Sequence, residues 1–121
     1  MVAPAAGSVV LIRFPFSDLS QTKLRPAVVL AQVARRDRIL CQITSKAYGD
    51  PDAIEISDTG FVSGSLRVTS YARPGKLFTA SEELITAEVA VLNRRVLSRI
   101  VDALVEILRS GAAPSILRLE V

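Results

Sequence analysis

The chain has 121 residues, half of them apolar and 22% charged, with one cysteine, no histidine and a formal net charge of +3. That length supports one hydrophobic core and is too short for two, and the lone Cys41 cannot build an intrachain disulfide framework. No run of about 18 apolar residues exists, which excludes a spanning helix, and residues 1–6 lack the basic and apolar regions of a secretory signal. A cytoplasmic protein with no membrane association is therefore expected. Its charge is uneven: residues 1–76 hold ten Lys/Arg against six Asp/Glu, and residues 77–121 hold five against six. The basic surplus lies with the strand-rich part, where it permits phosphate contacts, although a merely solvated basic surface would look the same.

In chain order, Val9 to Phe14 and Pro26 to Val33 are β-branched apolar runs short enough to be buried strands. Arg38 to Thr44 reads as the next, reached through the basic turn Arg35-Arg36-Asp37. Residues 48–52 are dense in turn formers and mark a loop. Ala53 to Ile56 alternates like an edge strand, which Asp58-Thr59-Gly60 ends. Leu66 to Ala72 alternates again, Arg73-Pro74-Gly75 breaks it, and Lys76 to Thr79 starts another strand. Short strands separated by turns, with no helix between them, predict a small closed antiparallel barrel. After a short strand Glu88 to Leu92, Asn93 is a natural helix N-cap. Val96, Leu97, Ile100, Val101, Leu104, Val105 and Leu108 then recur at helical spacing, a stripe suited to lying on the barrel, and Ser110-Gly111 ends the helix. Ile116, Leu117, Leu119 and Val121 make the tail 111–121 either a docked segment or a further strand.

The residue inventory limits the chemistry. Without histidine the commonest acid/base group and zinc ligand are both missing, and one cysteine cannot form a thiolate cage. Asp50 and Asp52 flank a proline in a turn, too few oxygen donors for a hard cation. No Gly-rich phosphate loop or Gly-x-Ser-x-Gly elbow occurs. Catalysis would have to run on Arg, Lys, Thr, Ser, Gln and carboxylates, with no cofactor. RNA scission by the substrate's own 2′-hydroxyl suits that inventory, because the protein need only orient the nucleophile, stabilise charge and help move protons.

Four stretches carry a resemblance: Gly7-Ser8-Val9-Val10-Leu11-Ile12-Arg13-Phe14 leading into Pro15-Phe16-Ser17-Asp18, then Arg25-Pro26-Ala27-Val28-Val29-Leu30, then Gln42-Ile43-Thr44-Ser45, and finally Gly64 to Thr79. Together they resemble the MazF/PemK (Kid) family, toxin endoribonucleases of type II toxin-antitoxin systems, over roughly residues 7–92. The resemblance implies a mainly β protein with a C-terminal helix: a small SH3-like antiparallel β-barrel (7–92), a helix (93–110) and the tail, as one domain. It implies a sequence-selective endoribonuclease that cuts single-stranded mRNA without metal, leaving a 2′,3′-cyclic phosphate and a 5′-hydroxyl. It also implies a homodimer and a cognate acidic antitoxin. The family's catalytic arginine matches Arg25, a guanidinium that forks onto phosphate at any working pH; outside this motif, a rim ion pair would explain such a residue. The catalytic threonine or serine matches Thr44, as donor and positioner for the scissile phosphate, where strand propensity alone would also place a threonine.

The loop containing Phe16, Asp18, Ser20, Gln21 and Lys23 is expected to contact RNA, with an aromatic face for stacking and short polar groups for base edges. Phe16 is equally well a core plug, and Asp18 is either a turn cap or a general base. Ser45 and Lys46 extend the rim beyond Thr44, and Arg73 and Lys76 add positive charge. Gly75 departs from the family pattern, which commonly has an acidic residue there and in some relatives assigns it a part in proton transfer. Either another group serves, or cleavage is weaker or differently selective. A second class of function is a non-enzymatic CcdB-like gyrase poison of the same fold, but the helix end Ile107-Leu108-Arg109-Ser110 lacks the aromatic expected there. A third, an SH3-like peptide-binding module, would need more exposed aromatics than a chain with six offers.

Overall fold

A computed structural model describes residues 4–13, 23–47 and 49–111. In it the apolar runs become β1 (Ser8–Arg13), β2 (Leu24–Val33), β3 (Asp37–Thr44), β4 (Ile54–Ile56), β5 (Phe61–Gly64), β6 (Ser70–Ser81) and β7 (Ile85–Leu92), followed by helix α1 (Arg94–Gly111). All described strands belong to one seven-stranded antiparallel sheet in the order β4-β6-β3-β2-β1-β7-β5. The two edge strands, β4 and β5, are consecutive in the chain, joined through a 3-10 turn at Asp58–Gly60. A flat seven-stranded sheet would hold its edges roughly 29 Å apart, whereas the five Cα steps from Ile56 to Phe61 span about 19 Å at most. The sheet therefore has to curl into a half-barrel, with the turn drawing its edges together.

Alternation along the strands gives the sheet two apolar faces. Val9, Val28, Cys41, Ile43, Ile56 and Ala72 form one, covered by Val96 and Ile100 of α1. Val10, Ile12, Ala27, Val29 and Leu40 form the other, with Phe78, Ala80 and Ile85 packed around it. Each valine, leucine or isoleucine among them taken fully out of water contributes about 1.5–3 kcal/mol before the opposing chain entropy. Asn93 caps α1 as expected, its Oδ1 accepting the Val96 N–H at 2.9 Å. Its Nδ2 also donates to the Thr59 carbonyl at 3.1 Å, tying the helix to the turn that joins the sheet edges.

The structure departs from the sequence expectations in five places. Arg73 to Gly75 does not break a strand: β6 runs through it, because Cys41 pairs with Leu77 while Gln42 pairs with Arg73, so Pro74 to Lys76 form a bulge without partners on β3, Pro74 buried and Gly75 and Lys76 exposed. β6 begins at Ser70, leaving Leu66 to Thr69 outside the sheet, and β5 follows Gly60 directly. Four residues with two exposed side chains between glycines carry little strand signal, and pairing with β7 is what makes β5 a strand. β7 starts at Ile85, where its pairing with Ile12 begins, three residues ahead of Glu88. Only part of the helical stripe lies on the sheet, since Val101, Val105 and Leu108 are 36–60% exposed. Among the described residues no helix is long and apolar enough to cross a membrane.

Candidate active site

The second sheet face ends in two different ways. Along β3, even-numbered residues point to this face, so Arg38, Leu40, Gln42 and Thr44 run from one end to the other. At the Arg38 end the charges neutralise one another. Arg38 is 1% exposed and donates to Glu82 at 3.0 Å and to the Pro4 carbonyl at 3.0 Å. Arg36 bridges Glu82 at 2.8 Å and Glu83 at 3.0 Å. Those contacts hold the Glu82 carboxyl below its ordinary pKa, the Arg36 hydrogen bond contributing most. A cleft of about 770 Å³ there is lined by Glu82, Glu83 and Glu88, and Glu88 accepts from Ser8 Oγ at 2.9 Å. Arg36 and Arg38, both counted in the basic surplus, are therefore already engaged by carboxylates at this end.

The opposite end is basic. Register explains which residues meet there. Ile12 pairs with Arg25, Ala27 with Gln42, Gln42 with Arg73, and Thr44 with Tyr71. Paired residues of an antiparallel sheet share a face, and the β2–β3 count, carried two residues past Ala27 and Gln42, sets Arg25 level with Thr44. Arg25 is exposed and has no ion-pair or hydrogen-bond partner among the described residues. Its guanidinium is therefore available to an anion.

Thr44 ends β3, and its Oγ1 accepts the Lys46 N–H at 3.1 Å while donating to the Lys46 carbonyl at 3.2 Å. This local turn fixes the hydroxyl and exposes Ser45 and Lys46 on the rim. A hydroxyl has one proton, so donation to a phosphate oxygen would redirect it from the Lys46 carbonyl.

Arg73 is the best-held cation at this end. Its Nε donates to Asp50 Oδ2 at 2.7 Å, and its Nη1 lies 3.5 Å from Gln42 Oε1. Asp50 Oδ1 accepts the Asp52 N–H at 2.9 Å, which closes the β3–β4 loop on itself. The Arg73 hydrogen bond, then the Asp52 N–H, hold the Asp50 carboxyl below its ordinary pKa, and Lys76 on the bulge adds attraction. Gly75, also on the bulge, leaves open space around its Cα. Asp50, weighed in the sequence only as a poor cation ligand, is thus a carboxylate at this end of the face although Gly75 supplies none. Its alignment with Arg73 depends on the bulge in β6, which the sequence does not announce. Gln42, Glu55 and Tyr71 are likewise brought here by register alone. Lys23 and Lys76 are exposed close to Arg25 and Arg73 in the chain. Phe16, Asp18, Ser20 and Gln21 lie outside the described residues. Cys41 takes no part: burial, above all, pushes its thiol up to about 12, so no thiolate is present at neutral pH.

A pH dependence follows from Asp50. Its folded-state pKa is lowered, so the stability that it contributes is present above the ordinary carboxylate range, near pH 4, and is lost as pH falls through the lowered value. Asp50→Asn should be less stable than the parent at pH 7, and the gap should close as pH falls through the lowered carboxyl pKa. Urea midpoints measured across pH 2.5–7 check this; a gap independent of pH would remove the ion pair as its cause.

Residues 5–108 match the family described as PemK-like, MazF-like toxin of type II toxin-antitoxin system. The chain belongs to that family of toxins. Its fold is similar to that of MazF from Deinococcus radiodurans, at 23% identity and TM-score 0.68, over 89% of this chain and 98% of that one. It is also similar to MazF in the Deinococcus radiodurans MazE-MazF structure, at 21% identity and TM-score 0.72, over 88% and 97%. An endoribonuclease in complex with its cognate antitoxin, from a mycobacterial species, matches at 16% identity and TM-score 0.67, over 89% and 95%. No curated protein sequence matches this chain significantly.

Proposed function

We propose that this toxin is a metal-independent, sequence-selective endoribonuclease that cuts single-stranded RNA by attack of the substrate's 2′-hydroxyl on the adjacent phosphate. The observation that carries the proposal is the guanidinium of Arg25, without a partner among the described residues and level with the Thr44 hydroxyl at the basic end of the sheet face. As the 2′-oxygen approaches phosphorus, negative charge grows on the non-bridging oxygens. Arg25 donates two parallel hydrogen bonds to them and Thr44 donates a third, in a site already folded before substrate arrives. Arg73, gripped by Asp50, supplies a second fixed positive charge, while Lys23, Lys46 and Lys76 attract the flanking backbone. Bond cleavage leaves a 2′,3′-cyclic phosphate and a 5′-hydroxyl. Support for ribonuclease activity comes from the family and from the mycobacterial relative described as an endoribonuclease.

Incubation of purified protein with a defined single-stranded RNA in excess EDTA should give cyclic-phosphate ends, and a deoxyribose at the cut position should block scission while leaving binding nearly intact. Loss of activity in EDTA, or equal cutting of DNA, would overturn the mechanism.

Two partners complete the proposal: a second copy of the chain and an antitoxin. An isologous pair is the commonest assembly of a small soluble protein, and relatives are found with MazE or a cognate antitoxin. A disordered acidic segment with apolar anchors suits the basic end around Arg25, Arg73 and Lys76, and its association should weaken with salt. Light scattering should give twice the 13.0 kDa chain mass. Expression alone should arrest growth, and co-expression with the adjacent small acidic reading frame should restore it. Harmless accumulation of folded protein would contradict the toxin assignment.

A further inference from the structure

An open cleft of about 440 Å³ adjoins Thr44, lined by Ser45, Lys46, Asp50, Ala53, Glu55 and Tyr71 among others. Its volume falls in the range of small-ligand pockets, about 300–1,000 Å³. Glu55 on β4 pairs with Tyr71 on β6, and Tyr71 pairs with Thr44 on β3, so carboxylate, phenol and hydroxyl form one row across three neighbouring strands on the same face. Two strand spacings separate the ends of the row, about 10 Å. One nucleotide reaches that far from its phosphate to the outer edge of its base.

Glu55 is exposed and has no partner among the described residues, even though Lys46 lines the same cleft. A free carboxylate beside a polyanion repels it, so its position calls for a compensating contact with hydrogen-bond donors of the ligand. We infer that this cleft receives the base next to the scissile phosphate and selects guanine, with Glu55 accepting two N–H bonds from the base edge against the wall formed by Tyr71. The inference rests on the ribonuclease reading of the neighbouring site. A carboxylate only accepts. Guanine alone places two donors side by side, N1–H and the N2 amino group, on its Watson–Crick edge. Adenine and cytosine offer one amino group beside an acceptor, and uracil one imino flanked by two carbonyls, each of which faces Glu55 with like polarity. Two charge-assisted bonds in parallel therefore favour guanine over the other bases. Tyr71 supplies a flat apolar surface that any base can contact, leaving the choice to Glu55.

Fluorescence anisotropy with single-stranded oligonucleotides of deoxyuridine, carrying one central guanine, inosine, adenine or cytosine, tests this without relying on scission, because none contains the nucleophile. Guanine should bind at least ~10-fold more tightly than inosine, which lacks only the N2 amino group, and than adenine. Glu55→Gln should erase that difference, while Glu55→Asp should keep most of it. Equal binding of guanine and inosine, or a guanine preference that survives Glu55→Gln, would overturn the inference. Cutting of the matching guanine-containing RNA is scored separately and bears on the ribonuclease proposal alone.

Discussion

Replacing Arg25 by alanine should slow RNA cleavage at least ~100-fold, the scale seen when one preorganised donor to a developing oxyanion is removed. The side chain is exposed and makes no described contact, so the unfolding free energy should move by no more than about 0.5 kcal/mol. Arg25→Lys keeps the charge but loses the fork and should recover only part of the rate. Thr44→Ala should cause a loss of similar size. That variant also releases the Lys46 backbone from its turn, which makes Thr44→Ser the informative companion: with the hydroxyl retained, most activity should return. Single-turnover rates beside urea midpoints separate chemistry from folding. Full activity of Arg25→Ala would remove the guanidinium from the mechanism, and a drop in stability matching the drop in rate would make either residue structural.

The largest effect on stability is expected far from this site, at Gly64. It adopts φ +66° and pairs with Ala90 at the end of β5. A Cβ there would meet the Val89 carbonyl oxygen and the Ala90 Cα at 2.8 Å, both backbone and unable to swing aside. Gly64→Ala combines left-handed strain of about 1–2 kcal/mol with an overpacking cost of about 1–3 kcal/mol, so roughly 2–5 kcal/mol in total. For a domain of this size that lowers Tm by about 8–20 °C. Gly75→Ala is the control, since nothing lies within 4 Å of its Cβ position and its φ is ordinary. Calorimetry showing equal Tm values for the two variants would contradict the close approach of β5 to β7.

The edge position of β5 explains why one glycine matters. β5 and β4 are the two rims of a curled sheet, and Asn93 fastens the turn between them to the helix. Peeling β5 from β7 would uncover Phe61, Ala90 and Leu92 on the face beneath α1. The proposed RNA-binding end of the other face belongs to β2, β3, β4 and β6, so a Gly64 variant that remains folded should bind RNA as the parent does.

Sequence alone determined whatever depends on neighbours along the chain. Runs such as Val9 to Ile12 and Pro26 to Val33 read as strands because β-branched residues suit a pleated, buried surface. Asn93 read as a cap because its short amide reaches the N–H three residues on, as the 2.9 Å bond to Val96 shows. The R-P-A-V-V-L and Q-I-T-S segments pointed to the family and, with it, to the barrel-like fold. Tertiary structure decided what depends on register. Short β5 had no pattern of its own and exists because β7 pairs with it. The stripe on α1 was suited to lying on the barrel, yet the curved sheet buries only its Val96 and Ile100 side, leaving Val101, Val105 and Leu108 exposed. Asp50, Glu55 and Tyr71 carried no signal, since a lone carboxylate or phenol in sequence says nothing about what faces it. Only the three-residue bulge at Pro74 to Lys76 sets Arg73 beside Gln42 and within reach of Asp50. Local propensity is written residue by residue, but a cross-strand row is set by pairing over tens of residues, where one bulge moves every later side chain relative to its partners.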